Sequence, residues 1–135
     1  MESLEHLAIG SLVSVLAVVV LWETYPATVL AALVCYGVGL SVFVDLDHFV
    51  LARFRSGDWT HLRGVLRDPR NAIRGQEWIF ADLEDFPRER LLSHTLITVV
   101  LVSGLWFVDE TLATFTALIL VVHVGCDLLR DAELV

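Results

Sequence analysis

The chain alternates long apolar runs with short polar breaks. Four runs, at residues 4–22, 26–44, 91–108 and 111–129, are apolar all round rather than striped, so none carries an obvious water-facing side. A helix of about 19 residues rises about 28 Å, close to the hydrocarbon thickness of a bilayer. The pattern therefore predicts an all-α fold: one membrane-embedded domain over residues 1–135, built as a four-transmembrane-helix bundle. Glu23-Thr24-Tyr25-Pro26 is the expected turn between the first two spans, with Pro26 in the first turn of the second, and Asp109-Glu110 the turn between the last two. Gly10 and Ser14 on the first span, and Gly37 and Gly39 on the second, are small enough to let helix backbones approach closely.

The polar connection at 45–90 is too long for an empty loop in a compact domain and should carry helical structure at the cytoplasmic face or membrane interface. Asp58 is placed to cap a short helix that stops before Pro69. Its Trp59, Leu62, Val65 and Leu66 share a face, which suits either the membrane interface or the protein's own polar cap. Residues 68–71 read as a turn, 76–80 as a short apolar patch of undecided type, and 82–85 as a solvated acidic face.

Composition sharpens this picture. The chain is 56% hydrophobic, with a mean hydropathy of +0.71. It has no lysine; all nine basic residues are arginine, against 17 acidic ones, for a net charge of −8. An acidic, lysine-free chain fits the high-salt cytoplasm of a halophile. The same acidity excludes nucleic acid as a partner, because nothing would neutralise a run of phosphates. Arg53, Arg55, Arg63, Arg67, Arg70, Arg74, Arg88 and Arg90 lie between spans two and three, and Arg130 follows span four. The positive-inside rule then places both termini and the connection in the cytoplasm, as a multi-pass protein of the cell membrane. The opening Met-Glu-Ser-Leu-Glu-His lacks a basic region, so the first run is expected to be a retained helix. Cys35 and Cys126 are far apart and form no CxxC pair; small residues packed between helices is the better reading of both.

On this topology each helix brings a ligand-type residue to one end of the bundle. The candidate metal ligands are His6, Asp45, His48, His94, His123 and Asp127. His123 and Asp127 are i,i+4 and point the same way, and Asp45 and His48 are i,i+3 if the helix continues past Val44. Ionisable groups in membrane helices are costly and default to a functional role. Histidine with carboxylate suits a divalent ion of the zinc, manganese or iron type better than calcium. Asp47 and Glu89 are candidate general bases and Arg90 a candidate anion ligand, while His61 reads as a surface residue of the connection.

An early His6, then Asp45-Leu46-Asp47-His48, then Arg90-Leu91-Leu92-Ser93-His94, then His123-Val124-Gly125-Cys126-Asp127 resembles, in order, the motifs of the YdjM-like family of membrane-bound metal-dependent hydrolases. Val44 stands where that family usually has proline, and Glu89 where it usually has histidine. The resemblance implies a metal-dependent hydrolase of the cytoplasmic membrane. With Arg90 and the depth of the site, it suggests a phosphoester or lipid-linked substrate at the inner face. The competing expectation is a non-catalytic integral membrane protein whose metal or polar network staples the helices. A transporter ranks third, because the opposite half of the bundle offers only Glu23, Asp109 and Glu110 at its rim.

Overall fold

A computed structural model describes residues 3–68 and 86–132, and all of the regular structure among them is helical. Helix α1 (Ser3–Val20) turns at residues 21–26 into α2 (Ala27–Phe43). Pro26 occupies the N-cap of α2 with an extended backbone. A tight 3-10 turn, Val44–Leu46, then passes without a break into α3 (Asp47–Ser56), making one rod of 30 residues from Ala27 to Ser56. Gly57, at φ 82°, ends the rod in the left-handed conformation that a Cβ would disfavour. Short α4 (Thr60–Arg67) follows, then α5 (Phe86–Trp106) and α6 (Glu110–Asp131). The expected features at 69–71, 76–80 and 82–85 lie outside the described residues.

The polar break at Asp45 therefore does not end the second helix. Asp45 and His48 are buried, so their polarity faces protein and the backbone has no reason to leave the helix. The boundaries move accordingly: helical structure extends past 44 to Ser56, and α5 begins at Phe86 rather than 91. Two helical stretches, Ala27–Ser56 and Glu110–Asp131, are long and apolar enough to cross a membrane, while the apolar helix at Leu4–Val20 is shorter.

Helices α1 and α2 form one hairpin and α5 and α6 another, and α6 also packs on both α1 and α2. Small residues set the α1–α2 contact. A Cβ added at Gly10 would collide with the Ser41 side chain, and one at Gly37 with Ser14 Oγ and the Phe115 ring. Each helix thus offers a glycine and a serine four residues apart to the other. The hydroxyls turn back on their own helices, Ser14 Oγ donating to the Gly10 carbonyl at 2.6 Å and Ser41 Oγ to the Val38 carbonyl at 2.9 Å. Gly39 plays no such part, since a Cβ there meets only the Phe43 ring at 3.6 Å, an ordinary contact.

Below this zipper Val18, Leu30, Phe115 and Ile119 form an apolar core between α1, α2 and α6. Two interhelical hydrogen bonds flank it, Tyr25 Oη to Thr111 Oγ1 at 2.9 Å and Tyr36 Oη to Thr116 Oγ1 at 2.8 Å. A second cluster joins Phe49 and Ala52 of α3 to Leu62 and Val65 of α4. The apolar face of α4 is therefore partly spent on the protein itself, while Leu66 stays exposed and Trp59 lies beneath the Arg53 guanidinium, 5.9 Å from the ring centre. Asp58 accepts the Thr60 N–H at 2.8 Å, one residue ahead of the N-cap position. Asp109 caps α6 by accepting the Leu112 N–H at 2.6 Å.

The distribution of polarity is inverted relative to a water-soluble bundle. The buried residues include His6, Ser14, Ser41, Asp45, His48, His94, Thr116, His123 and Asp127, as many polar groups as buried apolar ones among the described residues. Leu12, Leu16, Val19, Val100 and Val121 point outward instead. An exposed apolar mantle of this extent marks a surface meant for something other than water.

The zipper yields a test. Gly10→Val and Gly37→Val should each lower the unfolding temperature of the purified protein, by the equivalent of about 1–3 kcal/mol expected for overpacking. Gly39→Ala and Gly104→Ala should leave it nearly unchanged, because their added methyls meet ordinary contact or open space.

Candidate metal centre

The 3-10 turn at Val44–Leu46 is the local device that builds the site. At about three residues per turn, side chains at i and i+3 eclipse one another. Asp45 and His48 are so related, and His48 Nε2 lies 3.6 Å from Asp45 Oδ1. The Asp45 carboxylate, 3% exposed, is the hub. His94 Nε2 of α5 approaches its Oδ1 at 3.1 Å and His123 Nε2 of α6 at 3.3 Å, while His6 Nε2 of α1 lies 4.0 Å from Oδ2. Asp127, one helical turn beyond His123, stands 3.2 Å from His6 Nε2 and 3.6 Å from His123 Nε2. The six sequence-predicted ligands thus converge in one buried cluster supplied by α1, the α2–α3 rod, α5 and α6.

The four imidazoles form a continuous row. His6 stacks on His123 with ring centres 3.8 Å apart, and His94 lies 5.1 Å from both His123 and His48. Two groups bring donor atoms within 4.8 Å of one another: His6, Asp45, His123 and Asp127, and Asp45, His48 and His94. Donors held about 2.0–2.2 Å from one tetrahedral ion stand about 3.3–3.6 Å apart. The nitrogen-to-oxygen separations around Asp45 and Asp127 fall near that spacing. Both ring nitrogens of His123 and Asp45 Oδ2 are buried without a hydrogen-bond partner. Buried polar atoms of this kind normally find partners, and a cation would satisfy these. These residues could hold a metal ion.

The remaining sequence-predicted residues sit differently. Asp47 lies behind His94, its Oδ2 3.1 Å from Nδ1, and it accepts a short hydrogen bond from Ser93 Oγ. A carboxylate behind the far nitrogen of a ligand-type histidine fixes the ring's orientation. This geometry gives Asp47 a positioning contact, and Ser93, a motif position to which the sequence assigned no role, holds it in place. The side chain of Glu89 is drawn away from the cluster into an ion pair with Arg55 of α3. Arg90 Nη2 bonds both oxygens of Asp131 at 2.8 and 2.9 Å and lies 3.7 Å from Asp127 Oδ1. The guanidinium therefore borders the cluster through Asp127 while bound to a partner, Asp131, that the motifs did not reveal. Arg130 pairs with Glu5 at 3.1 Å, tying α6 to α1. His61 lies on α4, among the residues outside both donor groups.

Comparison of the chain with protein-family models, with curated proteins and with solved structures finds no match in any of the three.

The Arg55–Glu89 pair gives a pH signature. The hydrogen bond and charge of Arg55 hold the Glu89 carboxyl below its usual range. A depressed folded pKa stabilises the fold above the unfolded value, and that contribution is lost as pH falls through the folded one. Glu89→Gln should therefore lower the unfolding temperature slightly at neutral pH, the effect of a solvent-exposed pair being small. The gap from wild type should close on acidification into and below the ordinary glutamate range. A gap that widens as pH falls would contradict the pairing.

Proposed function

We propose that this chain is a four-span protein of the cytoplasmic membrane and a metal-dependent hydrolase acting at its inner face on a phosphoester, with a lipid-linked substrate favoured. The observation that carries the reading is the convergence of His6, Asp45, His48, His94, His123 and Asp127 from every long helix on one buried point. Side chains of this cost, gathered from distant parts of the chain, are retained for chemistry or for metal binding. When bound, a divalent ion would polarise a phosphoryl or carbonyl oxygen and lower the pKa of a water toward neutrality.

The protein's own groups fit these roles. Asp45 and Asp127 supply the negative charge that retains a cation, and Asp47 with Ser93 orients His94. Arg90, at the edge of the cluster and 14% exposed in its side chain, can exchange a carboxylate for a phosphoryl oxygen. A groove of about 400 Å³ between α3 and α5 supports a lipid-like substrate, with Leu51, Phe54, Leu92 and Leu96 as apolar wall and Arg55 and Ser93 as polar edge.

Membrane placement rests on the exposed apolar mantle and on Trp22, Trp106 and Phe107, exposed at the end opposite the cluster where an aromatic belt belongs. It also rests on the described arginines, which lie on α3, α4, the start of α5 and the end of α6, at the cluster end. The lysine-free, acidic composition supports a halophilic setting, and the ordered series of short motifs supports kinship with the YdjM-like hydrolases.

One observation favours a different reading. All six donors are 3% exposed or less, as in a closed structural site that only staples the bundle. Elemental analysis and a phosphoester-release assay on detergent-purified protein separate the two. The hydrolase reading expects bound zinc, manganese or iron, turnover, and loss of turnover in a folded His123→Ala variant. Absence of metal from wild type, or equal activity in His123→Ala, would reject it; loss of folding without any wild-type turnover would leave the staple. Asp47→Ala should weaken metal binding by about 10–100-fold, the usual effect of removing the group that orients a ligating histidine, and Ser93→Ala by less, measured by competition with a chelating dye.

A further inference from the structure

We infer that the cluster binds two divalent ions rather than one, with Asp45 as the carboxylate that bridges them. The inference rests on the metal-binding reading above and deepens it. The donors divide into two converging groups, and Asp45 is the residue common to both. His6, His123 and Asp127 surround one position; His48 and His94 flank the other. The stacking row runs in the same order as the two groups. His6 and His123 are the tight pair at 3.8 Å, and His94 with His48 continues the row at 5.1 Å intervals.

The two oxygens of Asp45 also face different partners. Oδ1 lies 3.1 Å from His94, 3.3 Å from His123 and 3.6 Å from His48, so it faces donors of both groups, while Oδ2 looks toward His6 at 4.0 Å and has no hydrogen-bond partner. A carboxylate set between both donor groups in this way would bridge two ions at the separation of about 3.5–4 Å typical of two-metal phosphoryl-transfer sites.

Charge balance points the same way. Asp131 matches Arg90, which leaves the buried carboxylates of Asp45 and Asp127 and the partly buried one of Asp47 behind His94. With neutral imidazoles, one divalent ion leaves the cluster net negative and would repel an anionic substrate. Two leave it net positive, the condition under which a phosphoryl group is drawn in. The substrate class that completes the site is therefore a phosphoester with a free anionic oxygen.

The test uses the full chain in detergent, stripped with chelator and titrated separately with zinc and with manganese(II). The expected result is two ions per chain, with a metal–metal vector at about 3.5–4 Å in X-ray absorption of the zinc form. Low-temperature electron paramagnetic resonance of the manganese form should show exchange coupling. His6→Ala and His48→Ala should each keep one ion and lose both signatures. Saturation at one ion of either metal, or two ions with neither vector nor coupling, overturns the bridge yet leaves metal binding intact. No ion bound overturns both readings. Two coupled ions without phosphoester turnover sustain the bridge and reject the hydrolase alone. The wild-type stoichiometry decides the matter even if a variant fails to fold.

Discussion

The structure turns on a carboxylate that has been taken out of solvent. Asp45 sits 3% exposed among four helices, and an isolated charge in such a place costs several kcal/mol. Imidazole nitrogens surround it from α1, α3, α5 and α6, so the helices that close the site end of the bundle are also those that compensate its charge. Asp127, 1% exposed, repeats the problem one layer away, between His6 and Arg90. Around this interior runs a rim of ion pairs, Arg55 with Glu89, Arg90 with Asp131 and Arg130 with Glu5, each joining two different helices.

The rest of the fold serves the precision of that arrangement. The glycine–serine zipper between α1 and α2 lies next to the cluster, with Gly10 one turn from His6 and Ser41 one turn from Asp45. Contacts between backbones without intervening side chains leave little room for sliding. The eclipsed turn at Val44–Leu46 then aims two donors from a single strand of helix at the same point. Sub-ångström placement of this kind is what separates a competent site from one that merely holds suitable residues.

Much of this was legible in the sequence because its signals are local. Continuous apolar runs announced the four long helices, and the i,i+4 pair His123 and Asp127 announced a shared helix face. Gly10, Ser14 and Gly37 were identifiable as close-approach residues, although Gly39 was not distinguishable from them without knowing which face meets α1. The misplaced boundary has an instructive cause. Asp45 and Asp47 look like the end of a span because their polarity is visible in the sequence and its direction is not. The roles of Ser93, Asp131 and the Arg55–Glu89 pair were out of reach because each acts through a partner on another helix, and one chain does not display such pairings.

The cluster is divided between two hairpins. The amino-terminal one holds His6, Asp45, Asp47 and His48, and the carboxy-terminal one holds His94, His123 and Asp127. Neither half owns a complete set. During synthesis the first hairpin holds Asp45 with only His6 and His48 beside it, and the arrival of the second adds the closer contacts of His94 and His123. The same division makes docking of the halves and completion of the site a single event: a chain whose halves stay apart leaves Asp45 and Asp127 without the partners that the docked bundle supplies.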